Sequence, residues 1–144
     1  MNSRQKGVAL VEFALVLPLL LLLTFITTEY GRALYEYNTL TKSVRDAARY
    51  LSTQNPGDTA AESVAQNLVV YGNPAGTGTP LAIGLSTALV PPPVWQTAGA
   101  APVINTVTIT ITGYTFSPLF ASVFGVNFGN IVYGDISATM RGAL

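Results

Sequence analysis

Lys6-Gly7-Val8-Ala9-Leu10-Val11-Glu12-Phe13 opens an apolar run that continues from Ala14 to Thr28, and from Gly7 onward the run holds one charged side chain, Glu12. Val8 to Thr28 is long enough to cross a bilayer as a single helix, because about 20 apolar residues rising about 1.5 Å each cover a hydrocarbon core of about 30 Å. A carboxylate inside such a span costs on the order of 2.5 to 3.5 kcal/mol by insertion scales. A plain anchor has no use for it. The compensating charge has to be positive and has to lie at the same depth. A chain cut after Gly7 carries a new α-amino group on Val8, about one helical turn from Glu12. Within one helix that amine softens the cost of the carboxylate. In an array of parallel helices stepped along a common axis, the amine of one copy meets Glu12 of the next, and two expensive groups neutralise each other. Such an array is a filament.

Met1 to Gly7 carries Arg4 and Lys6 and no acid, so the positive-inside tendency keeps the N-terminus cytoplasmic and sends the C-terminal part across the membrane. Thr24 to Tyr30 has no Ala-x-Ala pattern at which a signal peptidase would remove the whole span. An uncleaved signal anchor is the alternative, and Glu12 weighs against it. Pro18 lies inside the span, where it removes one backbone hydrogen bond and can kink the helix. A kink there either eases departure from the bilayer or is simply tolerated in lipid.

The helical pattern does not stop at the membrane edge. Tyr30, Ala33, Leu34, Tyr37, Leu40, Val44, Ala47, Ala48 and Leu51 recur at three- and four-residue spacing and predict one apolar face. Arg32 with Glu36, and Lys42 with Asp46, stand four residues apart on the opposite side, with Asp46 also near Arg49, as a solvated face. Tyr30, Tyr35 and Tyr37 fall where an interfacial aromatic belt would lie, and packing against a domain explains them equally well. Gln54-Asn55-Pro56-Gly57 ends the helix. The expected layout is therefore a leader at 1–7, a long helix at 8–55 whose first part (8–28) spans the membrane, and an extracytoplasmic domain at 56–144. A helix from Val8 to Thr53 would be roughly 70 Å long, so half of it projects and its apolar stripe needs a partner.

The C-terminal residues supply that partner. Asp58 or Thr59 caps a second helix with Glu62 in its first turn and Ala61, Val64, Ala65, Leu68 and Val69 as its buried stripe, ending near Tyr71-Gly72-Asn73-Pro74. From there to Pro102 the chain is rich in Pro, Gly, Ala and Thr and reads as a long loop, with one strand expected around Leu81 to Val90. Pro91-Pro92-Pro93 reads as a stiff connector, and Trp95 as a loop residue that either covers the core or binds a ligand. Val103, Val107, Ile109 and Ile111 alternate with Thr106, Thr108, Thr110 and Thr112, which predicts a half-buried strand. Gly113 breaks the phase, and Tyr114 and Phe116 become apolar on the other parity, as at a bulge. Leu119 to Phe128 reads as a turn of helix and loop. Ile131 to Arg141 reads as a second strand, with Val132, Ile136, Ala138 and Met140 on one side and Asp135, Ser137, Thr139 and Arg141 on the other. An antiparallel sheet laid on the projecting helix gives an α+β fold.

The 144 residues include no Cys and no His, charged residues make up 10%, and the formal net charge is zero. No basic surface for nucleic acid follows from that balance. The usual general bases, thiol nucleophiles and most transition-metal ligands are missing. No P-loop, GxSxG or Rossmann glycine pattern is present, since Gly76-Thr77-Gly78 follows no predicted strand and opens no predicted helix. No catalytic, cofactor-binding or metal-binding residue is expected, and an enzyme is not.

The basic leader, Gly7, the short aliphatic stretch, Glu12-Phe13 and the Leu-rich span together resemble the class III signal of type IV pilins, with Glu12 at the fifth mature position. The wider pattern, Gly7 to Pro18, then Glu29-Tyr30-Gly31-Arg32, Asn38-Thr39-Leu40-Thr41 and Arg45-Asp46-Ala47-Ala48-Arg49-Tyr50, resembles the TadE-like family of tight-adherence (Flp, type IVb) pilus proteins. That resemblance covers the first third of the chain densely and the remainder loosely. It implies a minor pilin or pseudopilin in a bacterial inner membrane with a periplasmic domain, destined for the pilus at the cell surface. It further implies cleavage between Gly7 and Val8 by a prepilin peptidase, assembly through Glu12 and Phe13, and other pilin subunits and an inner-membrane assembly platform as partners. The rival expectation is a membrane-tethered binding module in which the Trp95 loop recognises a surface.

Overall fold

Leu40, Val44, Ala47, Ala48 and Leu51 stand three or four residues apart, and in the computed structural model of the chain all five are fully buried against the C-terminal half. The structure describes residues 3–142, with side chains from Gly7 onward. Met1 and Asn2, and the side chains of Arg4 and Lys6 on which the cytoplasmic leader was read, lie outside the described residues. One helix, α1, runs over Ser3–Leu51, about 70 Å at 1.5 Å per residue. It starts before Val8, so residues 3–7 belong to the same helix as the span. It is continuous through Pro18. Thr24, Thr27 and Thr28 donate their hydroxyls to the carbonyls of Leu20, Leu23 and Thr24 at 2.9, 2.9 and 2.8 Å, which hides these polar groups within the apolar segment. Ser52, Thr53 and Gln54 close the last turn.

The buried face of the projecting half keeps Ala33, Leu40, Val44, Ala47, Ala48 and Leu51 of the stripe that spacing predicts and loses its three other members. Followed back from Leu40, it passes through Ala33 and Glu29, whereas Tyr30 and Leu34 are each 63% exposed and Tyr37 is 44% exposed. Counting apolar residues admitted the wrong neighbours, because a step of one residue rotates a side chain by about 100° around the helix.

Asp58 caps α2 (Thr59–Tyr71), its Oδ1 accepting from the amides of Ala60 and Ala61 at 3.0 and 3.2 Å. Gly72 ends it at φ +70°, donating its amide to the Leu68 carbonyl; a Cβ there would also meet Leu81 at 3.2 Å. Ala61, Ala65, Val69 and Val70 are buried, while Val64 and Leu68 are only half-buried. Small residues on both helices, Ala47 and Ala48 on α1 and Ala61 and Ala65 on α2, favour a close approach.

No strand forms over Leu81 to Val90. Ala82, Leu85 and Val90 are buried at spacings of three and five, which a chain turning back on itself satisfies, and residues Thr87–Leu89 make a 3-10 turn. The strand comes after the prolines instead: β1 (Val94–Ala98), carrying Trp95, pairs antiparallel with β2 (Ile104–Ile111). β1 is an edge strand, the position that tolerates a preceding run of prolines without amide hydrogens. Val107, Ile109 and Ile111 of β2 are buried as predicted, but Val103 precedes the strand and is 60% exposed.

The phase change at Gly113 is real, and it separates two strands rather than bulging one. Tyr114 and Phe116 are buried, and β3 (Thr115–Phe116) pairs antiparallel with β6 (Ile131–Val132) in a sheet of their own. Where a helical turn was expected, β4 (Ser122–Val123) and β5 (Val126–Asn127) form a hairpin. Its two-residue turn has φ +49° at Phe124 and +80° at Gly125, the signs of a type I′ connection. The expected long strand over Ile131 to Arg141 is likewise split, because Gly134 lies between β6 and β7 (Ile136–Arg141). Val132 is therefore 70% exposed, and Tyr133 takes the inward place. β2 is central in the order β1-β2-β7, antiparallel to both neighbours, with Ile109 opposite Ala138 and Ile111 opposite Ile136. Its apolar face lies on α1, and on the other face the hydroxyls of Thr108 and Thr139 bond at 2.7 Å.

Ile109→Ala should lower the unfolding free energy of the detergent-solubilised chain by about 2 to 5 kcal/mol, the usual range for emptying a buried aliphatic position. Val132→Ala should change it by less than about 0.5 kcal/mol, although sequence spacing places both residues on buried faces. Chemical denaturation followed by circular dichroism measures both.

Candidate functional site: the apolar helix and the collar at its base

From Gly7 to Leu21 every side chain of α1 is exposed, and the apolar window has a mean hydropathy of 2.6 with none of it buried in the chain. The helix is long and apolar enough to cross a membrane. Gly7, Val8, Val11, Glu12 and Leu15 share one face, and they line a shallow groove along the helix. Glu12 thus sits as a single carboxylate in an apolar strip. Four residues separate it from Val8, a rise of about 6 Å along the axis. Phe13 is 58% exposed. The assembly residues read from sequence are all presented outward on a single element, and Pro18 lies on that element a turn and a half further on.

A second group of residues, legible only in three dimensions, forms a collar where the span meets the domain. Glu29 is 95% buried by the complement of its 5% exposure. Its Oε2 accepts from Arg32 Nη1 at 2.7 Å and from the Leu119 amide at 3.2 Å, while Oε1 is buried without a partner among the described residues. The Arg32 guanidinium lies over the Phe116 ring, 5.3 Å from its centroid. Sequence spacing paired Arg32 with Glu36; the structure turns Arg32 back to Glu29 and gives Glu36 to the domain. Glu36 Oε1 accepts from the Tyr114 hydroxyl, beside which the Ile83 carbonyl lies at 2.9 Å as a second acceptor. Lys42, Asp46 and Arg49 make no salt bridge among the described residues.

Tyr133 closes the collar. Its hydroxyl donates to the Ala33 carbonyl at 2.7 Å, and its ring contacts those of Tyr37, Tyr114 and Phe116 at 5.5, 5.6 and 6.5 Å. Burial raises the Tyr114 phenol well above its ordinary value, with the hydrogen bond to Glu36 and that carboxylate's charge adding to the effect. Burial, and then the charge of Glu36, raises the Tyr133 phenol as well. Hydrogen bonds from opposite ends of the sequence therefore fasten the domain to α1 between Glu29 and Tyr37. The Glu29-Tyr30-Gly31-Arg32 motif is visible in the sequence; its partners are not, because Phe116 comes from β3 and Leu119 from the loop after it, 90 residues beyond Glu29.

Trp95 lies in β1 rather than in a loop. It packs on the core and donates Nε1–H to Glu62 Oε1 at 3.2 Å, so the only tryptophan joins the sheet to α2. A shallow depression of about 500 Å³ beside it is lined by Pro56, Gln96, Thr97, Asn105 and Thr106. Among the described residues no group of three or more acidic side chains is placed to hold a metal ion.

Residues 7–49 match the family model described as TadE-like protein, the family that the N-terminal pattern resembles. The match covers α1 almost to its end and none of α2 or the sheet. No curated protein and no solved structure matches the chain.

The raised phenols carry a pH signature. Below pH 10.0, the ordinary tyrosine value, these two phenols are neutral in folded and unfolded chains alike. As pH rises through that value the unfolded chain loses protons first, so stability falls progressively toward the folded-state values. Tyr114→Phe and Tyr133→Phe should each flatten this alkaline decline. Denaturant midpoints measured across the alkaline range provide the check.

Proposed function

We propose that the chain is a structural subunit, a minor pilin or pseudopilin, of a tight-adherence pilus. It is inserted in the bacterial inner membrane with its N-terminus cytoplasmic, and the domain at 56–144 is periplasmic until assembly carries it to the cell surface. A prepilin peptidase cuts between Gly7 and Val8, and an inner-membrane platform adds the subunit to other pilins through α1. The observation that carries this reading is the outward-facing strip of Gly7, Val8, Val11, Glu12 and Leu15, within the segment that matches the TadE-like family. A carboxylate at that depth is expensive alone and inexpensive beside the α-amino group of an adjoining copy. A contact that repeats head to tail without closing builds a fibre. The large domain relative to the helix supports a minor or priming position rather than that of the bulk subunit, with surface adherence as the role of the pilus as a whole.

The tethered binding module loses its main support, because Trp95 is occupied within the fold by Glu62 and the core. No catalytic, cofactor or nucleic-acid role is proposed.

Intact-mass measurement of the chain purified from cells that possess the peptidase should give a polypeptide beginning at Val8; one beginning at Met1 assigns the helix to simple anchoring. Glu12→Ala should leave membrane insertion intact and lower incorporation into sheared pili at least about tenfold, the effect of losing roughly 1.4 kcal/mol of pairing. Immunoblots of the sheared and membrane fractions give both quantities, and normal incorporation would remove Glu12 from the assembly mechanism.

A further inference from the structure

We propose that the segment from Leu119 to Phe128, which contains the β4–β5 hairpin, is a lipid-facing flap. It seats in the boundary between headgroups and acyl chains of the leaflet that borders the domain. The proposal rests on the reading of residues 8–28 as a membrane span.

The Phe120 ring packs edge-on against Phe25, with centroids 5.1 Å apart. Phe25 belongs to the apolar span, about 4.5 Å along the axis below Thr28 at 1.5 Å per residue. Phe120 is thereby fixed at acyl-chain depth, although it belongs to the domain. Around it, Leu119 is 63% exposed, Phe120 itself 46%, Phe124 61% and Val126 41%. The Phe120–Phe25 contact joins this apolar segment to the uncovered span, where Leu19, Leu20 and Leu23 are each at least half exposed. The lipid that covers those leucines also reaches Phe120.

Charge and hydrogen bonding fit the same occupant. The sequence carries no Asp, Glu, Lys or Arg between Glu62 and Asp135, so nothing in the flap has to be dehydrated as an ion. Non-helical backbone near hydrocarbon must find its partners within the protein. The Leu119 amide donates to Glu29, the Phe128 amide to the Ala121 carbonyl, and β4 pairs with β5. The burial of Glu29 becomes intelligible here, since its carboxylate supplies an acceptor at the membrane edge that water would supply elsewhere. At the turn, a phenylalanine occupies φ +49°, where Asn or Gly is the residue of least strain and a bulky side chain is disfavoured. An aromatic ring kept there and left exposed gains by entering an interface, where apolar side chains insert roughly 5 to 10 Å.

The chain has no cysteine, so single variants can be labelled cleanly. The full chain carrying Phe124→Cys is coupled to a nitroxide and reconstituted in phosphatidylethanolamine–phosphatidylglycerol vesicles. Collision with oxygen, which partitions into lipid, is compared with collision with a water-soluble nickel chelate by electron paramagnetic resonance. Leu19→Cys reports the span and Ser63→Cys, on the exposed side of α2, reports water. The expected oxygen-to-nickel ratio at Phe124→Cys exceeds that at Ser63→Cys at least about threefold and approaches that at Leu19→Cys, as for a side chain seated below the headgroups. A ratio like that of Ser63→Cys, with Leu19→Cys in lipid, overturns the flap and leaves the span standing. A water-like ratio at Leu19→Cys overturns the span itself. Low collision with both reagents, growing with protein-to-lipid ratio, assigns the face to a neighbouring copy and also overturns the flap. Val126→Cys gives the same readout should the turn variant fail to fold.

Discussion

A single helix of 49 residues has to have its apolar surface covered by two different media. Its first half offers side chains exposed on every face, which only a bilayer or a bundle of like helices can cover. Its second half narrows to the stripe of Ala33, Leu40, Val44, Ala47, Ala48 and Leu51, which one small domain covers. The change from an all-round to a one-sided apolar pattern sets where the uncovered segment ends, where α2 and the three-stranded sheet dock, and where the collar forms. A helix apolar all round has no preferred face for a folded domain, whereas a stripe has one.

The collar follows from that change of medium. Between Glu29 and Tyr37 the helix has left its all-round apolar segment and is not yet fully within the core, and its polar groups find partners from the distant loops. Glu29 takes Arg32 and the Leu119 amide, Glu36 takes Tyr114, and the Ala33 carbonyl takes Tyr133. The bonds from Leu119, Tyr114 and Tyr133 join α1 to residues far away in sequence, so they hold the domain at one rotation about the helix axis. In a proposed filament subunit, that fixed rotation ties the surface displayed outside to the angle at which Glu12 meets its neighbour. Phe120 adds a further contact from the domain back onto the helix, through Phe25.

Local signals in the sequence were reliable where chemistry and geometry are set within a few residues. Asp58 as a cap, Gly72 as a helix stop, the alternation of Val107, Ile109 and Ile111 and the phase change at Gly113 all reappear in the structure. The failures share a cause. Tyr30, Leu34 and Tyr37 were assigned to the buried face because they are apolar, and Val132 because it continued an alternation, yet burial depends on which element arrives opposite. Leu81 to Val90 was given a strand that its buried residues, spaced by three and five, do not make. Trp95 reads as a loop residue because the stretch up to Pro102 is rich in Pro, Gly, Ala and Thr, yet an edge strand accommodates the prolines that precede it.

By itself the sequence determined the apolar span with its one carboxylate, the continuation of the helix beyond that span, and an α+β domain with neither histidine nor cysteine. Those are consequences of residue type and short-range spacing, because hydrocarbon thickness and helical rise act on contiguous residues. Only the tertiary structure decided the partners of Glu29 and Glu36, the inward place of Tyr133 and the seat of Phe120 on Phe25. Those contacts join residues 78 to 100 positions apart and at a similar distance for the phenylalanine pair. No local periodicity encodes such a pairing, since it arises when the sheet closes on the helix and each buried polar group must be satisfied by whatever has been brought beside it.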